Sequence, residues 1–148
     1  MNEEIIDDGD LKYKIDFSNS QKTGFYFDQT DNRKFIEKFV KDKSALDAFC
    51  NSGGFGLHAA YAGASRITIV DSSATEIENA KYNFELNGLK SETEFVISDI
   101  FDFLESLISQ FHCAAIAPDN GRMQYVHVFV NENQPVHLIR YADCLYVF

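Results

Sequence analysis

The chain has 148 residues, 45% of them hydrophobic, and a formal net charge of −10 at pH 7. This composition predicts one folded domain, excludes an intrinsically disordered chain and, without an apolar run of about 18 residues, excludes a membrane span. The charge counts against a protein that holds nucleic acid by itself, because a uniformly acidic surface repels phosphates.

The first forty residues combine an acidic start with a strand and a helix. Residues 1–10 are expected to be an acidic tail, and the alternation over Leu11–Phe17 predicts a half-buried strand. Thr23–Phe27 is a second short extended segment. Thr30 or Asp31 can cap a helix, and the balanced charges between residues 22 and 43 indicate a solvated helix face. The apolar face of that helix is formed by Phe35, Ile36, Phe39 and Val40.

From residue 44 onwards, short apolar runs alternate with helical segments. The alternation predicts βαβ units and a parallel, Rossmann-like α/β sheet. Strands are predicted at Ser44–Phe49, Arg66–Val70, Glu94–Ser98 and Cys113–Ala117. Helices are predicted at Leu57–Ala62, from a Ser73/Glu76 capping box to Gly88, and after Asp99. The inward residues are Ile77, Ala80 and Phe84 in the second helix, and Phe101, Leu104, Leu107 and Ile108 in the third.

Three features follow the predicted parallel strands, where such sheets bind ligands. The glycine-rich loop Cys50–Gly56 allows close backbone approach, Asp71 can accept hydrogen bonds from ribose hydroxyls, and Asp99 can accept one from an adenine amino group. In that site Ile100 or Phe101 would lie against the ring. Each feature also has a purely structural interpretation, as a tight turn, a helix-start residue and an N-cap. The loop lacks the G-x-G-x-x-G spacing, which disfavours a dinucleotide oxidoreductase.

Residues 46–60, LDAFCNSGGFGLHAA, resemble the first cofactor motif of the RlmI-like ribosomal RNA (cytosine-5) methyltransferases. Residues 21–29, followed by Asn32 and Arg33, resemble the segment that precedes this motif in the same family. Val70–Ser73, Asn87–Leu89 and Asp99–Leu104 continue the match in order. The resemblance covers residues 9–111.

The resemblance implies a class I methyltransferase sheet, S-adenosylmethionine as cofactor, ribosomal RNA as partner, and no metal. Asp47 and Gly53-Gly54 would face the methionine part, Asp71 the ribose and Asp99 the adenine. The implied cofactor-binding set is Phe27, Gln29, Asp47, Phe49, Gly53, Gly54, Asp71, Ser72, Asp99 and Ile100.

The resemblance fails after residue 111. The family carries an Asp-Pro-Pro-type motif after its fourth strand, and here Ala117 stands where the acid belongs. Cytosine-5 methylation also needs a cysteine nucleophile, and Cys144 does not lie in the family's Ser-Cys-Ser-like stretch. No catalytic residue is therefore assigned. Residues 11–117 are expected to be an incomplete S-adenosylmethionine-binding domain, and residues 118–148 an unassigned tail with a hairpin of Tyr125–Val130 and Val136–Tyr141.

Two explanations of the tail stay open. A truncation followed by an unrelated or frame-shifted tail would leave an RNA methyltransferase domain in part, with one sheet edge unpaired unless the tail hairpin covers it. Divergence would leave a non-catalytic cofactor- or RNA-binding relative.

The cysteines and the N-terminus predict a cytoplasmic protein. Cys50, Cys113 and Cys144 are an odd number without metal-ligand spacing, which is typical of reduced thiols, and Cys50 is expected to be a packing residue. The acidic N-terminus is unlike a secretory signal. The four histidines are scattered, so no metal site is expected.

Overall fold

The computed structural model describes residues 3–16, 29–111, 124–131, 134–141 and 144–147. Within these residues, strands and helices alternate from residue 44 to residue 111, as the sequence predicts. The strands are β1 (Glu3–Asp7), β2 (Lys12–Asp16), β3 (Ser44–Ala48), β4 (Arg66–Asp71), β5 (Glu92–Ile97), β6 (Gln124–Asn131), β7 (Gln134–Tyr141) and β8 (Cys144–Val147). The helices are α1 (Thr30–Val40), α2 (Gly54–Tyr61), α3 (Ala74–Leu86) and α4 (Ile100–Phe111). None of these helices is both long and apolar enough for a membrane span.

The parallel half of the main sheet consists of β5, β4 and β3 in that spatial order. In the pairing of β3 with β4, Asp47 lies opposite Ile69. In the pairing of β4 with β5, Asp71 lies opposite Ile97. Ile69 and Val70 are neighbours on β4 that point to opposite faces, and both are fully buried. Burial on both faces is typical of a parallel strand that is covered by helices on each side.

Two hydrophobic clusters cover the two faces of this parallel half. The larger cluster joins β2, α1, α2 and α3 to one face and includes Ile69. The smaller cluster lies on the other face and is formed by Leu46, Ala48, Val70 and Ile100. The predicted Rossmann-like α/β class is therefore confirmed for this half of the molecule.

The other half of the sheet is antiparallel and is formed by the tail of the chain. β8 pairs with β3, with Leu145 opposite Ala48, and β7 and β6 follow outward. β6 and β7 pair as an antiparallel hairpin, with His127 opposite His137, in the segment for which the sequence predicts one. The tail thus covers the β3 edge, whereas the predicted fourth run, Cys113–Ala117, lies outside the described residues.

The acidic N-terminal stretch forms β1 rather than the expected tail. It pairs with β2 as an antiparallel hairpin, with Ile6 opposite Tyr13. Leu11, Tyr13 and Ile15 are buried, which confirms the predicted alternation of the strand at residues 11–17. The apolar side of β2 packs against the larger cluster and so anchors the hairpin there. β1 pairs with the edge of β2.

The inward face of α1 differs from its prediction. Ile36 and Val40 are buried as expected, but Phe35 and Phe39 are nearly half exposed and pack edge to face with each other. Arg33 is buried instead, whereas the charges of this segment predict a solvated face. Residues 33, 36 and 40 follow the spacing of one helical face, so the guanidinium takes the place that an apolar residue would fill.

The boundaries of α3 and the start of α4 follow local signals in the sequence. Ser73 Oγ accepts a hydrogen bond from the Glu76 amide at 3.3 Å, which is the N-cap half of the predicted capping box, and the Ser73 amide donates to Asp71 Oδ1 instead of to Glu76. Gly88 ends the segment with φ +60°. The start of α4 contradicts one prediction, because the Phe101 side chain is 67% exposed and Ile100 is buried in its place. The side chains of Leu107 and Ile108 lie outside the described set.

The fully buried side chain of His58 on α2 joins two other elements by charged contacts. Its Nδ1 lies 2.5 Å from Glu37 Oε1 on α1, and its Nε2 lies 3.1 Å from Asp8 Oδ2, which follows β1. This group of three residues ties the N-terminal hairpin and α1 to α2.

We expect Asp8→Ala to lower the free energy of unfolding by about 1.5–3 kcal/mol at pH 7, because it leaves a buried ring nitrogen without its charged partner. Burial opposes ionisation of Asp8, but the amides of Leu11 and Asp10 together with His58 hold its pKa below the usual range. Its stabilisation is therefore present above the unfolded pKa of about 3.9 and is lost as the pH falls through the folded pKa. Urea unfolding at pH 7 and near pH 3 measures both effects.

The matched control is Asp7→Ala, because the Asp7 carboxylate accepts a bond from the exposed turn amide of Gly9. We expect this variant to lose well under 1 kcal/mol at either pH. Equal losses in the two variants would contradict the role of the His58 contact.

Candidate cofactor-binding site

The ends of the three parallel strands are joined by backbone hydrogen bonds at one edge of the sheet. The Cys50 amide donates to the Val70 carbonyl at 3.1 Å, and the Ser98 amide donates to the Asp71 carbonyl at 3.0 Å. The glycine-rich loop after β3, Asp71 at the end of β4 and Asp99 after β5 therefore share this edge, as the sequence predicts.

The loop between β3 and α2 turns through three left-handed residues. Phe49 has φ +57°, Asn51 has φ +51° and Gly53 has φ +80°. A left-handed conformation is strained for a side chain such as Phe49 and persists only where the surroundings impose it, commonly at ligand sites. Gly53 also has no room for a side chain, since a Cβ there would lie 2.9 Å from the Cβ of Ala80.

Two further glycines allow close packing around the start of α2. A Cβ at Gly54 would lie 2.7 Å from Arg33 Nε, and a Cβ at Gly56 would overlap Ile69 Cδ1. Gly54, assigned to the cofactor by resemblance, thus also makes room for the buried Arg33. Gly56 was not predicted as a site residue, and its place in the glycine-rich loop was the available signal.

Asp47 is a buried carboxylate beneath this loop. Its Oδ2 accepts a hydrogen bond from the Gly56 amide at 2.8 Å, and its side chain is 4% exposed. Burial raises the pKa of Asp47 to about 7, against the lowering effects of the Gly56 amide and the Arg33 guanidinium, and Asp71 adds to the rise. Asp47 therefore holds the first turn of α2 and carries a charge that is costly to keep.

Two backbone amides hold the Asp71 carboxylate in place. Oδ2 accepts from the Asn51 amide at 3.0 Å, and Oδ1 accepts from the Ser73 amide at 2.9 Å. A carboxylate has about four lone-pair sites, so further acceptor positions stay available on both oxygens. Ser72, which follows directly, is exposed.

The Asp99 carboxylate caps α4. Its Oδ1 accepts from the Phe101 amide at 2.8 Å and the Asp102 amide at 3.3 Å. The N-cap interpretation of Asp99 is thus correct. Since both bonds use Oδ1, capping and ligand binding through Oδ2 are compatible. Ile100 packs in the smaller hydrophobic cluster, which places its side chain beneath this edge.

An exposed pair of aromatic rings lies beside these carboxylates. Phe49 and Phe101 are 44% and 67% exposed, and their ring centroids lie 6.3 Å apart in an edge-to-face arrangement. Ile97, at the end of β5, is 56% exposed. These three side chains give the edge an apolar surface next to its acceptors, as a purine ring requires.

The remaining predicted residues contribute less to the described site. Gln29 precedes α1, where its Oε1 accepts from Asn32 Nδ2 at 2.9 Å, and Phe27 lies outside the described residues. Burial raises the pKa of the Cys50 thiol, and the nearby Asp47 carboxylate adds to this rise, which agrees with a packing role. Among the described residues, no group of three or more His, Cys, Asp or Glu side chains could hold a metal ion.

The family model of the S-adenosylmethionine-dependent methyltransferases matches residues 2–124 of the chain. The chain belongs to this family. The class I methyltransferase resemblance and the cofactor that it implied are thereby confirmed for the domain.

Similar curated proteins extend well beyond this domain. Ribosomal RNA large subunit methyltransferase I of Aeromonas salmonicida is 42% identical over 101 residues, which are 68% of this chain and 26% of the relative. The protein of the same name from Shewanella denitrificans is 45% identical over 101 residues, covering 68% of this chain and 25% of that relative. The methyltransferase domain described above thus spans about a quarter of the length of the curated relatives it matches.

A solved structure confirms the fold. An S-adenosylmethionine-dependent methyltransferase from Streptococcus mutans superposes with a TM-score of 0.69 at 24% identity, covering 76% of this chain and 30% of the other. The parallel half and its helices therefore share the fold of this structure.

We expect the unsubstituted chain to lose stability as the pH rises from about 4 to about 7. The comparison is with Asp47→Asn, whose free energy of unfolding lacks this contribution. The folded pKa of Asp47 is raised, so its stabilisation is complete below the unfolded pKa and is lost as the pH rises through the folded pKa. The difference between the two proteins should change by at most about 4 kcal/mol over this window. Urea unfolding at half-unit pH steps measures it.

The control is Asp102→Asn, which removes an exposed carboxylate from the first turn of α4. Its pH profile should follow that of the unsubstituted chain. Parallel profiles for Asp47→Asn and the unsubstituted chain would show that Asp47 does not titrate in this window.

Proposed function

We propose that this chain binds S-adenosylmethionine at the carboxyl ends of β3, β4 and β5, as the cofactor-binding part of an RNA methyltransferase. The observation that carries the proposal is the Asp71 carboxylate, which the Asn51 and Ser73 amides hold at the sheet edge. The two bonds leave lone pairs for the two hydroxyls of a ribose and reduce the conformational entropy lost on binding.

The surroundings of Asp71 suit the adenine end of the cofactor. Asp99 Oδ2 can accept from the adenine amino group while Oδ1 caps α4. The exposed rings of Phe49 and Phe101 provide the aromatic surface for the purine, and Ile100 supports them from below. Gln29 and Ser72 are proposed at the rim of the same site, and Phe27 by resemblance alone.

The methionine end of the cofactor suits the charges beneath the loop. S-adenosylmethionine carries a positive sulfonium and a positive ammonium, and the Asp71 carboxylate lies close enough to Asp47 to raise the pKa of Asp47. A cation near this pair would favour the ionised form of Asp47. Gly53 and Gly54 let the loop turn tightly beside the proposed methionine end, because side chains there would meet Ala80 and Arg33.

The bound cofactor supplies an electrophilic methyl group whose leaving group is a neutral thioether. The residues of this chain bind and orient it, and the apolar rings keep water from its adenine end. RNA as the methyl acceptor is supported by the names of the similar proteins, which are ribosomal RNA methyltransferases. Cytosine C5 of large-subunit ribosomal RNA is the proposed target.

We expect Asp71→Ala to weaken the binding of S-adenosylhomocysteine (SAH) by about 5- to 150-fold. The substitution removes hydrogen bonds to a charged acceptor and the support of the Asn51 amide, which together are worth about 1–3 kcal/mol. Isothermal titration calorimetry with SAH measures the dissociation constant, with NAD titrated in parallel.

Asp102→Ala is the matched control, since it removes an exposed carboxylate from the same sheet edge. Its dissociation constant should stay within about twofold of the unsubstituted value. Unchanged affinity in Asp71→Ala would remove Asp71 from the site, and tighter binding of NAD than of SAH would replace the proposed cofactor.

We expect this chain alone not to methylate cytosine in large-subunit ribosomal RNA. The groups that hold and activate the base follow the fourth strand in the family, and Ala117 occupies the position of the acid there. Loss of a covalent nucleophile removes the step that makes C5 reactive, so the loss should be severe. The measurement is 5-methylcytosine formed from labelled cofactor. Product that depends on Asp71 would contradict the prediction, and Cys144 would then be the first residue to substitute.

A further inference from the structure

We propose that Asn83 is a positioning residue for the cofactor, because it connects the glycine-rich loop to the N-terminal hairpin. The inference rests on the cofactor site proposed above. Asn83 lies on α3 and is fully buried. Its Nδ2 donates to the Ser52 carbonyl at 3.0 Å, and its Oδ1 accepts from the Lys14 amide of β2 at 2.8 Å.

The bond to Ser52 controls the orientation of a peptide unit in the loop. The Ser52 carbonyl and the Gly53 amide belong to the same planar unit, so fixing one fixes the direction of the other. The Gly53 amide donates to the Cys50 carbonyl at 2.8 Å, and the Ser52 amide donates to Asn51 Oδ1 at 2.7 Å. Asn83 therefore holds the loop between its left-handed residues Asn51 and Gly53.

The loop and the ribose-binding carboxylate share these constraints. The Asn51 amide donates to Asp71 Oδ2, and the next peptide units are those that Asn83 holds through Ser52. Hydrogen bonds and the loop backbone between Asn51 and Ser52 thus connect Lys14 through Asn83 to Asp71. Loss of the Asn83 donor would release the loop without removing any residue that touches the cofactor.

Packing alone does not account for an amide at this position. The neighbouring buried residues of α3 are the apolar Ile77, Ala80 and Phe84, and asparagine has a low helix propensity. A buried amide is destabilising unless both its donor and its acceptor are used. Here Oδ1 accepts from the hairpin and Nδ2 donates to the loop, so the amide side chain connects the two segments.

Asn87, the residue that ends α3 one turn after Asn83, provides a matched comparison. Its Oδ1 accepts from the Lys12 amide and its Nδ2 donates to the Lys12 carbonyl, both at 2.8 Å. It also donates to the Asn83 carbonyl at 2.7 Å. Asn87 thus anchors the same strand of the hairpin through side-chain bonds that go to β2 and to its own helix.

The test compares Asn83→Asp with Asn87→Asp in the full chain. Asn83→Asp keeps an acceptor for the Lys14 amide but places a carboxylate oxygen against the Ser52 carbonyl. We expect the dissociation constant for SAH to rise about tenfold or more in Asn83→Asp and to stay within about twofold in Asn87→Asp. Calorimetry is performed well below the melting temperature of each variant, so that both are folded.

A spectroscopic measurement separates loop positioning from general loss of stability. In the ligand-free protein, Asn83→Asp should shift the backbone amide resonances of Asn51 and Gly53 and increase their hydrogen exchange. Asn87→Asp should instead affect the hairpin amides around Lys12. Should Asn83→Asp fail to fold, Asn83→Ser removes both bonds without burying a charge, and the same outcomes apply to it.

The outcomes distinguish this inference from the proposed function. Absence of SAH binding by the unsubstituted chain would overturn the proposed function together with the cofactor role of Asn83. Binding by the unsubstituted chain with an unchanged dissociation constant in the Asn83 variants would overturn the inference alone. Equal weakening in Asn83→Asp and Asn87→Asp would also overturn it, because anchoring of the hairpin would then be the cause.

Discussion

The hydrogen bond from the Gly56 amide to the buried Asp47 carboxylate joins the first turn of α2 to the end of β3. The helix lies so close to the sheet here that a single methyl group on Gly56 would overlap Ile69. The chain must therefore reverse direction within a few residues, and it does so through left-handed conformations at Phe49, Asn51 and Gly53. The strained loop and its exposed phenylalanine follow from this close approach.

The same approach explains the concentration of polar groups under the loop. A buried carboxylate needs donors and a compensating charge, and the Gly56 amide and Arg33 provide them. Arg33 in turn occupies the space left by Gly54 and lies near the rings of Tyr13 and Phe55, with its Cζ 6.0 and 5.8 Å from their centroids. Arg33 thus links the candidate cofactor site, through Asp47, to the N-terminal hairpin, through Tyr13. This link is additional to the hydrogen bonds that α3 makes to both.

Local signals predict β2 of the N-terminal hairpin and the boundaries of α3 in the parallel half. The alternation in β2, the Ser73 cap and the Gly88 stop depend on short-range chemistry, and the structure follows them. The prediction for the buried face of α1 is wrong because it considers only apolar residues and so leaves out Arg33. The spacing of Arg33 to Ile36 and Val40 nevertheless places it on the buried face.

Long-range partners could not be predicted in the same way. Nothing local in β1 specifies its pairing with β2, since five acids near the N-terminus are equally typical of a solvated tail. For Asp99, one sequence feature fits both an N-cap and an adenine acceptor, and the two uses are chemically compatible. The role of Asn83 could not be predicted from the sequence, because its partners Lys14 and Ser52 come close to it only in the folded chain.

The antiparallel pairing of β8 with β3 has a consequence for the order of folding. The βαβ units of the parallel half join segments that lie about 25 residues apart, whereas Ala48 and Leu145 are separated by about 100 residues. Closing so long a loop costs more entropy, so the central strand should gain its second neighbour late. Until then β3 presents an unpaired edge to other chains, and the time spent in this state should determine how much of the protein aggregates during refolding.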